Sequence, residues 1–242
     1  MPGPASLRHY LRRLIYENAA LQWAANRYSG RRHLGRSAAF WNDALTGDFS
    51  SYLGGTLSID LRNTIVATLI RNCTGSPVSV LDVGCSGGSL AGAIGGLSHY
   101  TGVDVSDRAI AHAIRTSRQT TSEQGNPTIE FVVADLCGFP VNGRQWRVIV
   151  FNEVLYYLSV PEALDQVNRY VQALHPDGIL LVSMKDDGKS RAIFRYLEQR
   201  YSWKTGVLHQ VKNERTDFTI RIDREQPAHL IAVLKPCAAE PA

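Results

Sequence analysis

Residues 78–89 read VSVLDVGCSGGS, an apolar run that ends in a cluster of glycines and serines. A short, continuous apolar run of this kind is typical of a strand buried on both faces of a parallel sheet. In such sheets, ligands bind where the strands end. The small residues at 84–89 let a ligand approach the backbone closely. The stretch therefore predicts the first strand of an α/β sheet, followed by a ligand-binding loop.

Apolar runs and helical patterns alternate beyond this stretch. Strands are predicted over 100–105, 129–135, 147–153 and 178–184, and helices over 89–97, 107–121, 161–175 and 190–200. Three further strand-like segments, WKTGVLHQV, DFTIRI and HLIAVLK, follow without helices between them. The alternation predicts a doubly wound, mostly parallel sheet with helices on both faces, ended by antiparallel strands.

The segment that precedes the sheet is helical in pattern and basic. Residues 1–36 contain seven arginines and one acidic residue, whereas the net charge of the whole chain is +4. Apolar residues recur at helical spacing over 6–27, and two shorter helices are predicted before the sheet. We expect an N-terminal helical lid over 1–56 and an α/β domain over 57–242. The basic helix packs on that domain, or it docks on a partner or a membrane surface.

The composition excludes several classes of protein. Hydrophobic residues make up 44% and charged residues 20% of the 242, which excludes global disorder. No apolar run approaches the roughly 18 residues of a membrane span, and the first residues show no secretion signal. The four cysteines form no CxxC pair, so neither a zinc site nor a disulfide framework is expected. We expect a cytoplasmic protein. Its main domain is not expected to bind nucleic acid, since the excess positive charge lies in residues 1–36.

The second and the third predicted strands each end in an aspartate. Asp104 ends the second strand, where its carboxylate can accept both hydroxyls of a ribose. Asp135 ends the third strand and is placed to recognise the edge of a base. Asp82, just before the glycine-rich loop, suits a cationic or amine-bearing ligand. A dinucleotide fingerprint would need glycines where Ser86 and Ser89 stand, so NAD is disfavoured. A P-loop is excluded, because the chain contains no GxxxxGK[ST].

The ordered series VLDVGCSGG, GVDVS, VVADL, VIVFNEVLYYL and ALHPDGILLVS resembles the motifs of class I S-adenosylmethionine-dependent methyltransferases, over about residues 77–236. The resemblance implies a Rossmann-like sheet of seven strands with a reversed hairpin at its end, and S-adenosylmethionine as the cofactor. One position departs from the pattern, because Ser86 stands where the family often has glycine.

The resemblance also assigns roles to residues. It implies that the loop 84–88 packs against the methionine part of the cofactor, that Asp104 binds the ribose, and that Asn152 lies beside the reacting methyl group. Asp135 and Leu136 bracket the adenine, and Arg62 is expected to pair with the cofactor carboxylate. The expected cofactor-binding residues are Arg62, Asp82, Gly84, Cys85, Ser86, Gly88, Asp104, Val105, Asp135, Leu136 and Asn152.

Acceptor residues are expected after the fourth and fifth strands and in the lid. Glu153 and His209 are the candidate catalytic residues, because a hydroxyl acceptor needs a base. The candidate substrate-binding residues are aromatic, namely Trp41, Tyr52, Tyr156 and Tyr157, with Phe40 and Phe49 as further walls of the pocket. Glu153 with Asp186 and Asp187 is an Mg²⁺ site to be considered, although a turn and helix cap explains the two aspartates better.

The sequence is compatible with three functions. The first is O-methylation of a sugar, an oligosaccharide or a similar small hydroxylated metabolite. The second is N-methylation of an amino sugar or small amine, because residues 153–158, EVLYYL, resemble nodulation-factor N-methyltransferases, which modify a chito-oligosaccharide amine. The third is a catalytically silent, cofactor-binding regulatory subunit. Methylation of nucleic acid is disfavoured, since no Asn-Pro-Pro-aromatic motif follows the fourth strand.

Overall fold

The computed structural model describes residues 37–44, 56–117, 127–141, 143–185, 188–203, 218–220 and 229–236. Helices in these residues are α1 (Ala38–Ala44), α2 (Thr56–Thr74), α3 (Ser89–Ala93), α4 (Asp107–Ser117), α5 (Val160–Val171) and α6 (Gly188–Arg200). Strands are β1 (Val78–Val83), β2 (Leu97–Asp104), β3 (Thr128–Val133), β4 (Trp146–Asn152), β5 (Leu174–Lys185), β6 (Tyr201–Trp203), β7 (Phe218–Ile220) and β8 (His229–Pro236). A 3₁₀ turn covers Leu155–Tyr157.

All eight strands join one sheet in the order β3-β2-β1-β4-β5-β8-β6, with β7 also paired to β8. The first five strands in this order are parallel, and β8 runs antiparallel to β5. Val83 of β1 pairs with Val103 of β2 on one side and with Phe151 of β4 on the other. This register brings the carboxyl ends of the central strands to one edge of the sheet, as the sequence predicted.

The sheet ends differently from the expectation of seven strands. The described residues contain eight, because two short strands share the outermost position beside β8. β6 pairs with the end of β8 at Leu234–Pro236, and β7 pairs with its beginning at His229–Ile231. The antiparallel end of the sheet is confirmed, whereas the number seven is not.

Alternating residues of β1 supply both cores. Val78 and Val80 pack with Val66 and Ile70 of α2 on one face of the sheet. Leu81 and Val83 belong to the core on the opposite face, together with α5 and α6. Each fully buried aliphatic side chain contributes about 1.5–3 kcal/mol to folding. The continuous apolar run of β1 therefore reflects a strand that is covered on both sides.

The helix predicted over 161–175 ends earlier than its apolar pattern. α5 ends at Val171, and β5 begins at Leu174. Pro176 disfavours helical geometry for the residue before it and provides no amide hydrogen. The beginning of α5 is fixed by Ser159, whose side chain accepts a hydrogen bond from the Glu162 amide while the Glu162 carboxylate accepts one from the Ser159 amide.

Several expectations fall on residues that the structure does not describe. They include residues 1–36 with the basic helix, most of the lid, and the candidates Tyr52, Phe49, His209, Asp186 and Asp187. The division into 1–56 and 57–242 stays a prediction. Among the helices of the described residues, none combines the length and hydropathy that crossing a membrane requires.

Candidate functional site

The loop after β1 winds through three left-handed residues. Gly84, Ser86 and Gly88 have φ angles of 79°, 50° and 74°. The Gly84 and Cys85 amides both donate to the Val103 carbonyl, at 2.8 and 3.0 Å, which ties the loop to β2. A Cβ on Gly84 would lie 2.7 Å from Val154 Cγ2. Ser86 adopts the left-handed conformation although it is not glycine, so its departure from the family pattern leaves the loop intact.

Asp104 holds this loop with its carboxylate. Its Oδ2 accepts a hydrogen bond from the Ser86 amide at 3.0 Å, and its Oδ1 accepts one from the Ser106 amide at 2.9 Å. Burial raises the pKa of Asp104, and the amide hydrogen bonds from Ser106, Ser86 and Val105 oppose this rise. The carboxylate is therefore oriented at the end of β2, directly beside the loop.

Asp82 lies beneath the loop with its side chain buried. The Tyr100 hydroxyl donates to Oδ2 at 2.6 Å, whereas Oδ1 has no hydrogen-bond partner among the described residues. Burial raises the pKa of Asp82 to about 7, and the charge of Asp104 adds to the rise. The Tyr100 hydrogen bond and the charge of Arg62 act in the opposite direction.

Removing the Asp82 charge is expected to stabilise the protein in a pH-dependent manner. Because the pKa in the folded state lies above the ordinary value of 3.8, Asp82 contributes stability at low pH that is lost as the pH rises through 7. The unfolding free energy of Asp82→Asn relative to wild type should therefore increase by about 1 kcal/mol per unit between about pH 5 and pH 7. Urea titrations at several pH values measure this difference.

Asp107→Asn is the matched control for that series, because Asp107 is exposed in the first turn of α4. This variant removes a carboxyl group from the surface, so it separates the loss of a charge from the effect of burial. A difference between Asp82→Asn and wild type that stays constant with pH would contradict the burial of a titrating carboxyl group at this position.

Three polar side chains form a chain across the site. Asn152, at the end of β4, donates through Nδ2 to Asn63 Oδ1 at 3.1 Å. Asn63, on α2, donates through its own Nδ2 to Ser89 Oγ at 2.8 Å. Asn63 and Ser89 were not among the predicted site residues. The only signal for Asn63 is its position next to Arg62, and periodicity places it on a helix without showing what it contacts.

Buried polar atoms without partners point to a ligand at this place. Arg62 Nε, Asp82 Oδ1 and Asn152 Oδ1 are all buried and make no hydrogen bond to a described residue. A buried polar group left without a partner costs about 1–3 kcal/mol. Such atoms are rare in folded proteins, and each one calls for an explanation. A polar ligand that reaches α2, β1 and β4 would satisfy them.

Glu153 follows Asn152 in a left-handed conformation, with φ 61°. Its Oε1 accepts from Ser183 Oγ at 2.8 Å, and its Oε2 accepts from the Lys185 amide at 3.0 Å. Its own amide donates to the Ser183 carbonyl at 2.8 Å. The carboxylate is thus attached to β5 through both oxygens, and its role as a catalytic base stays a prediction.

Three aromatic side chains, those of Trp41, Tyr156 and Tyr157, lie together near these residues and form what we call the aromatic group. The Trp41 and Tyr157 rings meet edge to face at 5.0 Å, and Tyr156 and Tyr157 are 4.6 Å apart. Lys185 Nζ lies 4.6 Å from the centre of the Tyr156 ring. Burial raises the pKa of Tyr156, and the charge of Glu153 adds to the rise. The structure therefore brings Trp41, Tyr156 and Tyr157 together, and their role in binding a substrate stays a prediction.

Helix α1 connects this aromatic group with the Asp104 side of the site. Asn42 Oδ1 accepts a hydrogen bond from Ser106 Oγ at 2.7 Å, and the neighbouring Trp41 contacts Tyr157. The Ser106 amide in turn donates to Asp104. Asn42 and Ser106 were not predicted as site residues, because their contact joins positions that are 64 residues apart in the chain.

The turn after β3 lies at the same edge of the sheet as the loop after β1. Asp135 is exposed, and its Oδ1 accepts a hydrogen bond from the Cys137 amide at 2.8 Å. The Asp135 carbonyl accepts from the Gly138 and Phe139 amides. Within the described residues, no group of three or more His, Cys, Asp or Glu side chains could hold a metal ion. Since Asp186 and Asp187 lie outside those residues, the Mg²⁺ hypothesis stays a prediction.

Residues 80–178 match a family of proteins described as a methyltransferase domain. No curated protein matches the chain in sequence. Among solved structures, the N-methyltransferase NodS from Bradyrhizobium japonicum WM9, in complex with S-adenosyl-L-homocysteine, is 19% identical with a TM-score of 0.68. That similarity covers 84% of this chain and 100% of NodS. Magnesium protoporphyrin IX methyltransferase (ChlM) from Synechocystis PCC 6803, with bound S-adenosylmethionine, is 18% identical with a TM-score of 0.54, over 89% of this chain and 99% of ChlM.

The match assigns residues 80–178 to a methyltransferase domain, and the two similar structures share its Rossmann-like fold. The matched residues extend from β1 to β5, and the two similar structures hold S-adenosyl-L-homocysteine and S-adenosylmethionine, which makes S-adenosylmethionine the cofactor to compare with the site. The family and the fold do not specify the acceptor.

The residues of the site fit this cofactor. S-adenosylmethionine supplies an electrophilic methyl group on a sulfonium centre, and its methionine part carries an ammonium and a carboxylate. Among the described residues, Arg62 Nε is a donor without a partner and suits the carboxylate, and Asp82 Oδ1 is an acceptor without a partner and suits the ammonium. The loop that begins at Gly84 consists of small residues, and Asp104 offers its carboxylate at the end of the neighbouring strand.

Proposed function

We propose that the enzyme methylates a neutral amine nitrogen of a small molecule, such as an amino sugar. In this proposal Asp104 holds the ribose hydroxyls of the cofactor, Arg62 binds its carboxylate, and Asp135 with Leu136 holds the adenine. Cys85, Gly88 and Val105 line the same cleft. These assignments are supported by the sheet register, because the loop at 84–88, Asp104 and Asp135 follow the neighbouring parallel strands β1, β2 and β3 at one edge.

The observation on which the choice of nitrogen rests is the hydrogen bonding of the Glu153 carboxylate. A hydroxyl acceptor needs a general base within hydrogen-bond reach, whereas an amine needs only to be neutral. Both oxygens of Glu153 already accept hydrogen bonds from β5. Asn152 Oδ1, next to it, is a buried acceptor without a described partner, and an amine N–H can satisfy it. The similar fold of NodS, described as an N-methyltransferase, agrees with this choice.

The aromatic group is the proposed acceptor-binding surface. Trp41, Tyr156 and Tyr157 offer ring faces and two hydroxyls, which suit a sugar or an aromatic ring carrying the amine. Helix α1 contributes Trp41 to this surface. In this proposal, the described part of the predicted lid therefore takes part in binding the acceptor.

O-methylation of a sugar hydroxyl is the second candidate. It is favoured by the position of Glu153, because the Lys185 amide donates to its carboxylate and Lys185 Nζ lies 4.6 Å from the centre of the Tyr156 ring. In this case a hydroxyl acceptor would take the place of Ser183 as a donor to Glu153 Oε1.

The variant Glu153→Gln, assayed with labelled cofactor against pools of amines and of sugars, separates the two candidates. For an amine acceptor, kcat should remain within about tenfold of wild type, because no base is lost. For a hydroxyl acceptor it should fall by about 10²–10⁴-fold. Ser183→Ala is the control, because it removes one hydrogen bond and keeps the carboxylate. Absence of transfer to both pools, with intact binding of S-adenosylhomocysteine, would contradict both candidates.

A further inference from the structure

The turn after β3 is held from the side by helix α5. Arg169 Nη1 donates to the Phe139 carbonyl at 2.7 Å, and its Nη2 donates to the Leu136 carbonyl. The Tyr170 hydroxyl donates to the same Leu136 carbonyl at 2.8 Å. Two neighbouring residues of one helix thus fix two carbonyl groups of a single turn, residues 135–139, which we call the base turn.

Arg169 is itself fixed before it reaches the base turn. Its Nε donates to Gln166 Oε1 at 2.9 Å, one turn earlier on the same helix. Its guanidinium carbon lies 4.6 Å from the centre of the Tyr170 ring, and Tyr170 is fully buried in the core. The three nitrogens of the guanidinium therefore donate to three different neutral oxygens. This planar fork is a geometry that lysine cannot reproduce.

The base turn is also held by apolar packing, because Phe139 is buried in the core and Leu136 packs against it. Within the turn, the Asp135 side chain and carbonyl accept hydrogen bonds from the residues that follow it. Asp135 is exposed, and β3 is the edge strand of the described sheet. The contacts from α5 add directional hydrogen bonds to this packing, and they fix the orientation of the Leu136 peptide next to Asp135.

We infer that Arg169 and Tyr170 are positioning residues that set the selectivity of the enzyme for the adenine base of its cofactor. The inference rests on the proposed orientation of the cofactor, in which Asp135 and Leu136 hold the adenine. Neither residue touches the reacting atoms. Without them the base turn relaxes, so contacts with the base weaken while those of Asp104 with the ribose and of Arg62 with the carboxylate remain.

The test compares two ligands that differ only at the base. S-adenosylhomocysteine carries the adenine amino group, and S-inosylhomocysteine carries an oxygen in its place. Calorimetry of Arg169→Met should show about 10- to 100-fold weaker binding of S-adenosylhomocysteine, since two charge-assisted hydrogen bonds to the turn are lost. Binding of S-inosylhomocysteine should change by less than about threefold, because its base has no amino group that could contact the base turn. Arg115→Met is the control, because Arg115 is exposed on α4.

Two results would overturn the inference. One is unchanged affinity of Arg169→Met for S-adenosylhomocysteine, and the other is an equal loss for both ligands, which indicates a general structural defect. Tyr170→Phe removes a single hydroxyl and serves if Arg169→Met does not fold. It should shift the preference in the same direction by about 2- to 10-fold, with faster amide hydrogen exchange in the base turn. Failure of the wild type to bind S-adenosylhomocysteine would instead contradict the proposed function.

Discussion

Asp104→Ala is expected to lower the affinity for S-adenosylhomocysteine by at least about 100-fold. The carboxylate has two roles in this account. It orients the loop after β1 through the Ser86 amide at 3.0 Å, and it is the proposed acceptor for the ribose hydroxyls. Alanine removes both at once, and it also leaves the Ser86 and Ser106 amides without their partner. Isothermal titration calorimetry of the purified variant measures the loss.

Asp104→Asn divides the two roles, because an amide oxygen can still accept one hydrogen bond but carries no charge. The affinity of Asp104→Asn for S-adenosylhomocysteine should lie between those of wild type and of Asp104→Ala. Asp107→Ala, three residues further on and exposed, should bind as wild type does. An affinity of Asp104→Ala within threefold of the Asp107→Ala control, at about the precision of such measurements, would be incompatible with this site.

Gly84→Ala is expected to destabilise the protein by about 2–4 kcal/mol and to reduce cofactor binding with it. Two independent effects add. The φ of +79° is a conformation that L-residues avoid, and the new Cβ would lie 2.7 Å from Val154 Cγ2 and 2.8 Å from Val154 Cβ. The contact with Val154 Cβ cannot be relieved by rotating the side chain. The backbone of the loop therefore has to move, which displaces the Cys85 and Ser86 amides from Val103 and Asp104.

Gly92→Ala is the matched control for this substitution. Gly92 lies in α3, has no positive φ, and a Cβ there would meet nothing within 4 Å. Alanine in a helix is favoured over glycine by about 0.5–1 kcal/mol, so this variant should be neutral or slightly more stable. Urea unfolding of both variants gives the comparison. Equal stability of Gly84→Ala and Gly92→Ala would show that the loop does not require glycine.

The sequence was sufficient to predict the part of the fold that positions the cofactor. Residues 78–89 contain both the buried strand and the loop, Asp104 is the last residue of β2, and Asp135 comes two residues after β3 ends at Val133. These features are local, since apolar runs and small residues act over a few positions. The division of the outermost strand position between β6 and β7 was not predictable, because it depends on which part of β8 each short strand reaches.

The polar chain behind the loop could not be predicted in the same way. The hydrogen bond between Asn152 and Asn63 joins residues 89 positions apart, and it depends on where α2 crosses the end of β4. The attachment of Glu153 to β5 is a similar case, because the sequence identifies a carboxylate after a strand but not its partners. Arg169 follows the helical pattern of α5, so nothing in its sequence context indicates that it reaches the turn after β3.

The central proposition is that the loop after β1, with Asp104 and the turn after β3, holds S-adenosylmethionine. A crystal structure of the complex with S-adenosylhomocysteine tests it most directly. We expect the homocysteine part to lie between the loop at 84–88 and Arg62, the ribose hydroxyls to contact Asp104, and the adenine to lie between Asp135 and Leu136. A nucleoside bound elsewhere, or a ribose that does not contact Asp104, would contradict it.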